Sequence, residues 1–227
     1  MKKKTFLTLF LVSVLVICCF TGCKKEVIVR PVETSSPSSA PNSAPSSEAA
    51  SYPVELSSSE LGNFETALND QSNYGFLLSD YDDVRDVDLA QVFYLGAGLP
   101  APSNADEIRN AELAARSENP DVDSTILTAS QISDFLYEKT GYSLADMSSS
   151  LTWSYVGEYD AYVHWHGDTN YVSSTCTGGR QISADTYEIE YELSGGFYDN
   201  SGNELTGGMV TVRVANNTLQ FISNAMH

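Results

Sequence analysis

The chain has 227 residues, with 12 Lys and Arg against 30 Asp and Glu, and a formal net charge of −18. From Glu55 onward there are 6 bases and 27 acids, a balance of −21, whereas Lys24 to Val54 carries three of each. A surface that acidic repels phosphate backbones and anionic headgroups, which excludes nucleic acid and anionic lipid as partners of the folded part. It favours solubility and loose association with divalent cations, and its plain consequence is a solvated acidic face.

The first residues are basic, Lys2, Lys3 and Lys4, and an apolar run of about 15 residues follows from Phe6 to Phe20. That run is shorter than a comfortable membrane span and has the length of a signal-peptide core. It ends in Thr21-Gly22-Cys23. The segment resembles the lipobox of bacterial lipoproteins, with Phe20 standing where Leu is commonest and meeting the same need for a large apolar side chain. The resemblance implies a signal peptide over residues 1–22 that is cut away. It also implies a thioether-linked diacylglycerol on Cys23 and a place on the outer face of the cell membrane. Cys18 and Cys19 would leave with the signal and Cys23 would be lipidated, so Cys176 is the one remaining thiol and no internal disulfide is expected. It reads as a small buried apolar group or an inert loop thiol.

Residues 23–54 read as the lipidated Cys and a tether. Pro31 to Pro53 is Ser, Pro and Ala with little else, too poor in apolar bulk to fold. Its 31 residues from Lys24 to Val54 span roughly 30 Å as a coil and about 100 Å when taut.

Residues 55–227 have the length of one α+β domain, helical over 55–150 and β-rich over 151–227. Ser57-Ser58-Ser59-Glu60 reads as a capping box, with Leu61, Phe64 and Leu68 at helical spacing behind it. A second helix is expected over Asp86–Tyr94, closed by Gly96-Ala97-Gly98-Leu99-Pro100. Asn104-Ala105-Asp106-Glu107 reads as another capping box for a third helix that stops before Pro120. Thr128-Ala129-Ser130-Gln131 opens a fourth, with Ile132, Phe135 and Leu136 inward and Gly141 at its end. Ser143 then caps a short turn over Leu144–Met147.

The period then changes to two. Leu151, Trp153 and Tyr155 alternate with polar residues, and Gly157-Glu158 turns the chain into Tyr159, Ala161, Val163 and Trp165. Tyr187, Ile189, Tyr191 and Leu193 alternate with Glu188, Glu190 and Glu192. Val210, Val212 and Val214 lead through Asn216-Asn217 into Leu219–Ile222, a hairpin signal because Asn tolerates positive φ. Strands joined by turns after a run of helices predict N-terminal helices packed on a C-terminal antiparallel β-meander sheet.

One string concentrates chemistry: Asp160-Ala161-Tyr162-Val163-His164-Trp165-His166-Gly167-Asp168. On a strand, Asp160, Tyr162, His164 and His166 share a face, and Asp168 follows the Gly167 bend. Two imidazoles and a carboxylate can hold an ion, so His164, His166 and Asp168 form a candidate metal site. The expected reading is a hydrogen-bonded cluster that braces a strand end. The His-x-His-x-Asp string is similar to that of metallo-β-lactamase hydrolases over five residues. Thr169 replaces the next His and the helical half does not suit that fold, so that family is set aside.

Lys139-Thr140-Gly141, Tyr159-Asp160-Ala161-Tyr162 and His166-Gly167-Asp168-Thr169-Asn170 are more widely informative. With the Gly207–Val212 and Phe221–Asn224 endings, they resemble uncharacterised lipoproteins of Firmicutes of the clostridial kind, over the span from about Thr128 to the end. The resemblance implies an envelope protein and supplies no catalytic residues.

Asp80 to Asp88 packs five carboxylates into nine positions, but Arg85 and Gln91 stand where an EF-hand loop needs Gly and Glu. Glu188, Glu190 and Glu192 read as a solvated stripe, and the Tyr and Trp residues of the middle as cross-strand pairs. No phosphate-cradling glycine motif, nucleophile elbow or Cys-x-x-Cys is present. The expectation is a lipid-anchored, non-enzymatic binding or scaffolding protein without a cofactor, whose protein or glycan partner is unspecified. The alternatives are a metal-dependent hydrolase or metal-binding protein on the two histidines, and a glycan- or peptide-binding module.

Overall fold

The computed structural model describes residues 51–116, 120–167, 173–198, 202 and 204–227. The segment read as a lipobox, Cys23, nearly all of the expected tether and Asp168 lie outside them. In chain order the elements are β1 (Val54–Glu55), α1 (Ser58–Leu68), α2 (Gln71–Tyr74), α3 (Leu89–Phe93), α4 (Ala105–Ala115), β2 (Asp123–Thr128) and α5 (Ala129–Thr140). There follow β3 (Ser154–Val156), β4 (Ala161–His166), β5 (Ser173–Gln181), β6 (Thr186–Tyr198), β7 (Glu204–Ala215) and β8 (Thr218–Met226).

The class is α+β with antiparallel sheets, as the change of period predicts. The strands divide between two sheets. β1-β5-β6-β7-β8 form one, of which β5 to β8 are a meander, and β2-β4-β3 form a smaller one. The small sheet draws β2 from inside the stretch read as purely helical. β1 straddles the expected boundary between tether and domain, with Val54 paired to Gln181.

Of the two expected capping boxes the one at Ser57 forms, and a further one forms at the expected helix start Thr128. The Ser57 N–H donates to Glu60 Oε2 at 2.8 Å and the Glu60 N–H to Ser57 Oγ at 3.4 Å. Thr128 and Gln131 repeat the exchange at 2.9 and 3.2 Å, and Gly141 ends α5 at φ +83°. Asn104 makes no side-chain cap. Its ψ of 25° follows a turn already begun at Pro102, and a capping side chain needs extended backbone to reach back to the amides. The helix expected over Asp86–Tyr94 breaks in two. Val84–Asp86 is a 3₁₀ turn, and Asp88 at ψ 100° caps the N–H groups of Ala90 and Gln91 to start α3 afresh.

One face of the large sheet carries Ile189, Tyr191, Val210, Val212, Leu219 and Phe221 into the main core. The helices supply Phe64, Leu68, Phe76, Phe93, Ile132 and Leu136. Phe76 and Phe221 stack at 4.2 Å and 8°. Each such side chain, fully buried, stabilises the fold by about 1.5–3 kcal/mol. Gly75 lets α3 approach closely, since a Cβ there would lie 2.5 Å from the Val92 Cα.

A second, smaller core of Ile108, Ile126, Ala161 and Val163 lies between α4 and the small sheet. At the outer side of β5, Asn69 donates to the Ser174 carbonyl at 2.7 Å and accepts its N–H at 2.8 Å. Glu65 accepts the Cys176 N–H at 2.9 Å. No helix among the described residues is long and apolar enough to cross a membrane.

Candidate functional site

β4 runs between β2 and β3, with Thr125 opposite His164, Asp123 opposite His166 and Tyr155 opposite Tyr162. Alternation sends Ala161 and Val163 to the small core and Tyr162, His164 and His166 to the other face. Asp160 does not join them. It sits in the preceding turn at φ +47°, where its Oδ1 accepts the Tyr155 hydroxyl at 2.7 Å.

His164 lies under Trp153, rings stacked at 5.0 Å and 13°. Tyr94 meets His164 edge-on at 5.0 Å and His166 at 5.6 Å, and the two imidazoles are 5.7 Å apart. His166 is held at both nitrogens: its Nδ1 donates to the Gly167 carbonyl at 3.2 Å, and its Nε2 shares a hydrogen bond with the Thr125 hydroxyl at 3.0 Å. His164 Nε2 and Trp153 Nε1 are buried with no hydrogen-bond partner among the described residues. Burial, and then the neighbouring His166, push the His164 pKa below its ordinary value, so the ring is neutral at pH 7.

The structure thus brings His164 and His166 together, as the alternation implies. Asp168 lies outside the described residues. Among the described residues, no three His, Cys, Asp or Glu side chains are grouped to hold an ion. Stacking on Trp153, contact with Tyr94 and the hydrogen bonds of His166 fix both imidazoles at the end of β4. Cys176 belongs to the other sheet, its thiol pushed up to about 12 by burial and then by Glu65.

The carboxylates of residues 80–88 disperse. Asp83 pairs with Arg85 at 2.5 Å, and hydrogen bonds from Arg85 hold its pKa at about 2. Asp80 accepts the Met226 N–H at 3.0 Å and Asp88 caps α3. Glu188 pairs with Arg180 at 2.6 Å on the solvent face of the large sheet.

Two clusters escaped sequence reasoning. Glu112, 5% exposed, accepts Trp165 Nε1 at 2.9 Å and pairs with Arg116, whose guanidinium lies over the Trp165 ring. Burial pushes the Glu112 pKa up, but hydrogen bonds from Arg116, Trp165 and Ser154 outweigh it and leave it lowered. The i, i+4 spacing of Glu112 and Arg116 was the available signal. Lys139 is buried, donates to Asn73 Oδ1 at 2.7 Å and to Ser72 Oγ at 3.2 Å, and ties α5 to α2. Burial lowers its pKa. Comparison with family models, curated proteins and solved structures finds no match.

Proposed function

We propose that this chain is a lipid-anchored extracytoplasmic envelope protein that binds or scaffolds a partner and is not an enzyme. The observation that carries the reading is the string Phe20-Thr21-Gly22-Cys23 behind a basic start and an apolar run. The Ser/Pro/Ala tether supports it, because it lets a folded domain stand off a surface. The membrane is reached through lipid on Cys23, not through the acidic domain, and nucleic acid is not a partner. Labelled fatty acid supplied to cells should appear on the wild-type protein and be lost in Cys23→Ala, which should accumulate as precursor or be released. An unlabelled wild-type protein sinks the anchoring.

One observation favours the metal-binding alternative: the buried, unpartnered Nε2 of His164. A metal held by His164, His166 and Asp168 would raise the melting temperature with zinc concentration, and the double histidine variant would lose that response. Under the preferred reading, zinc and chelator leave the melting temperature unchanged.

A further inference from the structure

We propose that Lys139 and Asn73 join in an isopeptide bond between Nζ and Cγ, which the folded domain forms on itself with release of ammonia. The inference goes beyond the anchoring and partner-binding reading and does not rest on it. Lys139 sits in the last turn of α5 and Asn73 in α2, and each is 7% exposed. Lysine is rarely buried so deeply, and the shorter hydrogen bond of this one goes to an amide: Nζ lies 2.7 Å from Asn73 Oδ1. Cγ is one carbonyl bond beyond that oxygen, which puts it about 3–4 Å from Nζ. Near-attack distances are about 3–3.5 Å, so the fold has already brought the two reacting atoms together.

The surroundings favour the neutral amine. Nζ lies 5.9 Å from the centre of the Phe135 ring, and burial lowers the Lys139 pKa against the weaker opposing pull of Glu138 and Asp70. A desolvated neutral lysine has a free lone pair and is a nucleophile. Ser72 gives its proton a way out. The Ser72 hydroxyl accepts from Nζ at 3.2 Å and donates to Asp70 Oδ1 at 2.6 Å. That hydrogen bond, helped by the Ser72 N–H, keeps the Asp70 pKa below its ordinary value, so a carboxylate stands ready to accept. The target amide is fixed from its other end, where Asn73 Nδ2 donates to the Ala67 carbonyl at 2.9 Å. Asp70, Ser72, Lys139 and Asn73 thus form one chain of contacts from the cap of α2 to the end of α5.

The atoms balance without a cofactor or an oxidant. The Nζ lone pair forms a bond to Cγ, and the carbonyl π pair moves onto Oδ1. Nζ gives up one proton through Ser72 to Asp70. The Cγ–Nδ2 bond then breaks, the pair on Oδ1 restores the carbonyl, and Nδ2 leaves with that proton as ammonia. The secondary amide that remains is uncharged, so the burial that penalises an ammonium ion favours the product. The bond closes a loop of 66 positions that contains α3, α4 and β2. Cys176 is the one cysteine among the described residues and is unpaired, so no disulfide among them restrains the chain. A covalent loop of this length lowers the unfolded population by about a thousandfold.

The test is peptide mapping by mass spectrometry of the full chain, denatured and digested with trypsin. The wild type should resist cleavage after Lys139 and yield a branched peptide that joins the segments of Asn73 and Lys139, lighter than their sum by one ammonia. Lys139→Arg and Asn73→Ala should give linear peptides alone, since a guanidinium stays charged and Ala has no carboxamide. Asp70 acts on Nζ through Ser72 and is a positioning residue. Asp70→Asn keeps the cap acceptor, so it should fold, yet it should slow the appearance of the branched peptide in newly made protein by about 10²-fold. Asp70→Glu should restore most of the rate. Within the slow variant the open and cross-linked forms share one sequence, and the melting temperature should rise by about 8–16 °C as the branch forms.

Complete cleavage after Lys139 in the wild type, with Asn73 in a linear peptide of full mass, overturns the proposal and leaves Lys139 as a hydrogen-bonded tie between helices. So does a branched peptide that survives in Lys139→Arg. Fatty-acid labelling has no part in this readout, so failure here and failure of the anchoring reading are distinguishable.

Discussion

The two sheets handle buried polarity differently. On the core face of the large sheet the polar groups at its centre are bonded: the Tyr191 hydroxyl lies 3.0 Å from the Leu77 carbonyl and 2.9 Å from Asn224 Oδ1, and Asn224 Nδ2 donates to Ser79 at 2.9 Å. Three buried polar atoms have no partner among the described residues: His164 Nε2 on the small sheet, Trp153 Nε1 just before β3, and Ser174 Oγ at the β5 rim of the large sheet. A buried polar atom that is bonded fixes one arrangement of its neighbours, while one left unbonded costs about 1–3 kcal/mol of desolvation. The bonded groups at the centre of the large sheet therefore add to stability, while His164, Trp153 and the Ser174 rim give some of it back.

The largest effect should come from the core of the large sheet. Phe221→Ala removes the ring stacked on Phe76 and should cost about 3–5 kcal/mol, read as a shift of the urea midpoint. A cost below about 1 kcal/mol would mean that the sheet is not the seat of stability. The contrast sharpens with a matched pair of phenylalanine substitutions. Tyr191→Phe strips a bond from Asn224 and should cost about 1–3 kcal/mol, whereas His164→Phe removes an unpartnered nitrogen and should be neutral within about 0.5 kcal/mol. Equal costs would erase the difference between the sheets.

Acid provides a third probe, aimed at the far side of the small sheet. The folded-state pKa of Glu112 is lowered, so the unfolded chain binds the proton more readily there. Its contribution is complete above the ordinary Glu range and is lost as pH falls through the lowered folded value. Glu112→Gln should destabilise at neutral pH and flatten the acid limb of melting temperature against pH. An unchanged acid limb would remove Glu112 from the account. The smallest effect concerns β1. A chain beginning at Ser51 should melt with one beginning at Lys24, and one beginning at Glu55 should be weaker by about 0.5–1 kcal/mol through loss of the Val54 pairing.

Local signals were legible in the sequence. The capping pairs Ser57/Glu60 and Thr128/Gln131, Gly141 and the Asn216-Asn217 turn at φ 52° and 62° all act within a few residues. The alternation that puts His164 and His166 on one face is equally local. β2 was hidden because six residues between two helix signals give little period to read. β5 was hidden because Ser173–Gln181 has no apolar alternation and carries two glycines, and its pairing depends on residues far away in the chain. Asn69 reaches Ser174 across 105 positions and Trp165 reaches Glu112 across 53. The partners of His164 and His166 were equally out of reach, since Tyr94 and Thr125 come from elements whose packing only the fold decides.

The side chains of Glu65 and Asn69 have a consequence for many copies of the protein together. Molecules held by the proposed anchor would share a thin layer of space and collide often, and a bare strand at the rim of a sheet invites a neighbour to add its own strand. Here the amides of Ser174 and Cys176 are occupied from within the same chain, and Leu56 takes the carbonyl of Gly179 further along. Crowding on a surface then offers neighbouring copies no open amide at Ser174 or Cys176 on this rim, and the Cys176 thiol, held at about 12, stays a poor nucleophile toward the next molecule.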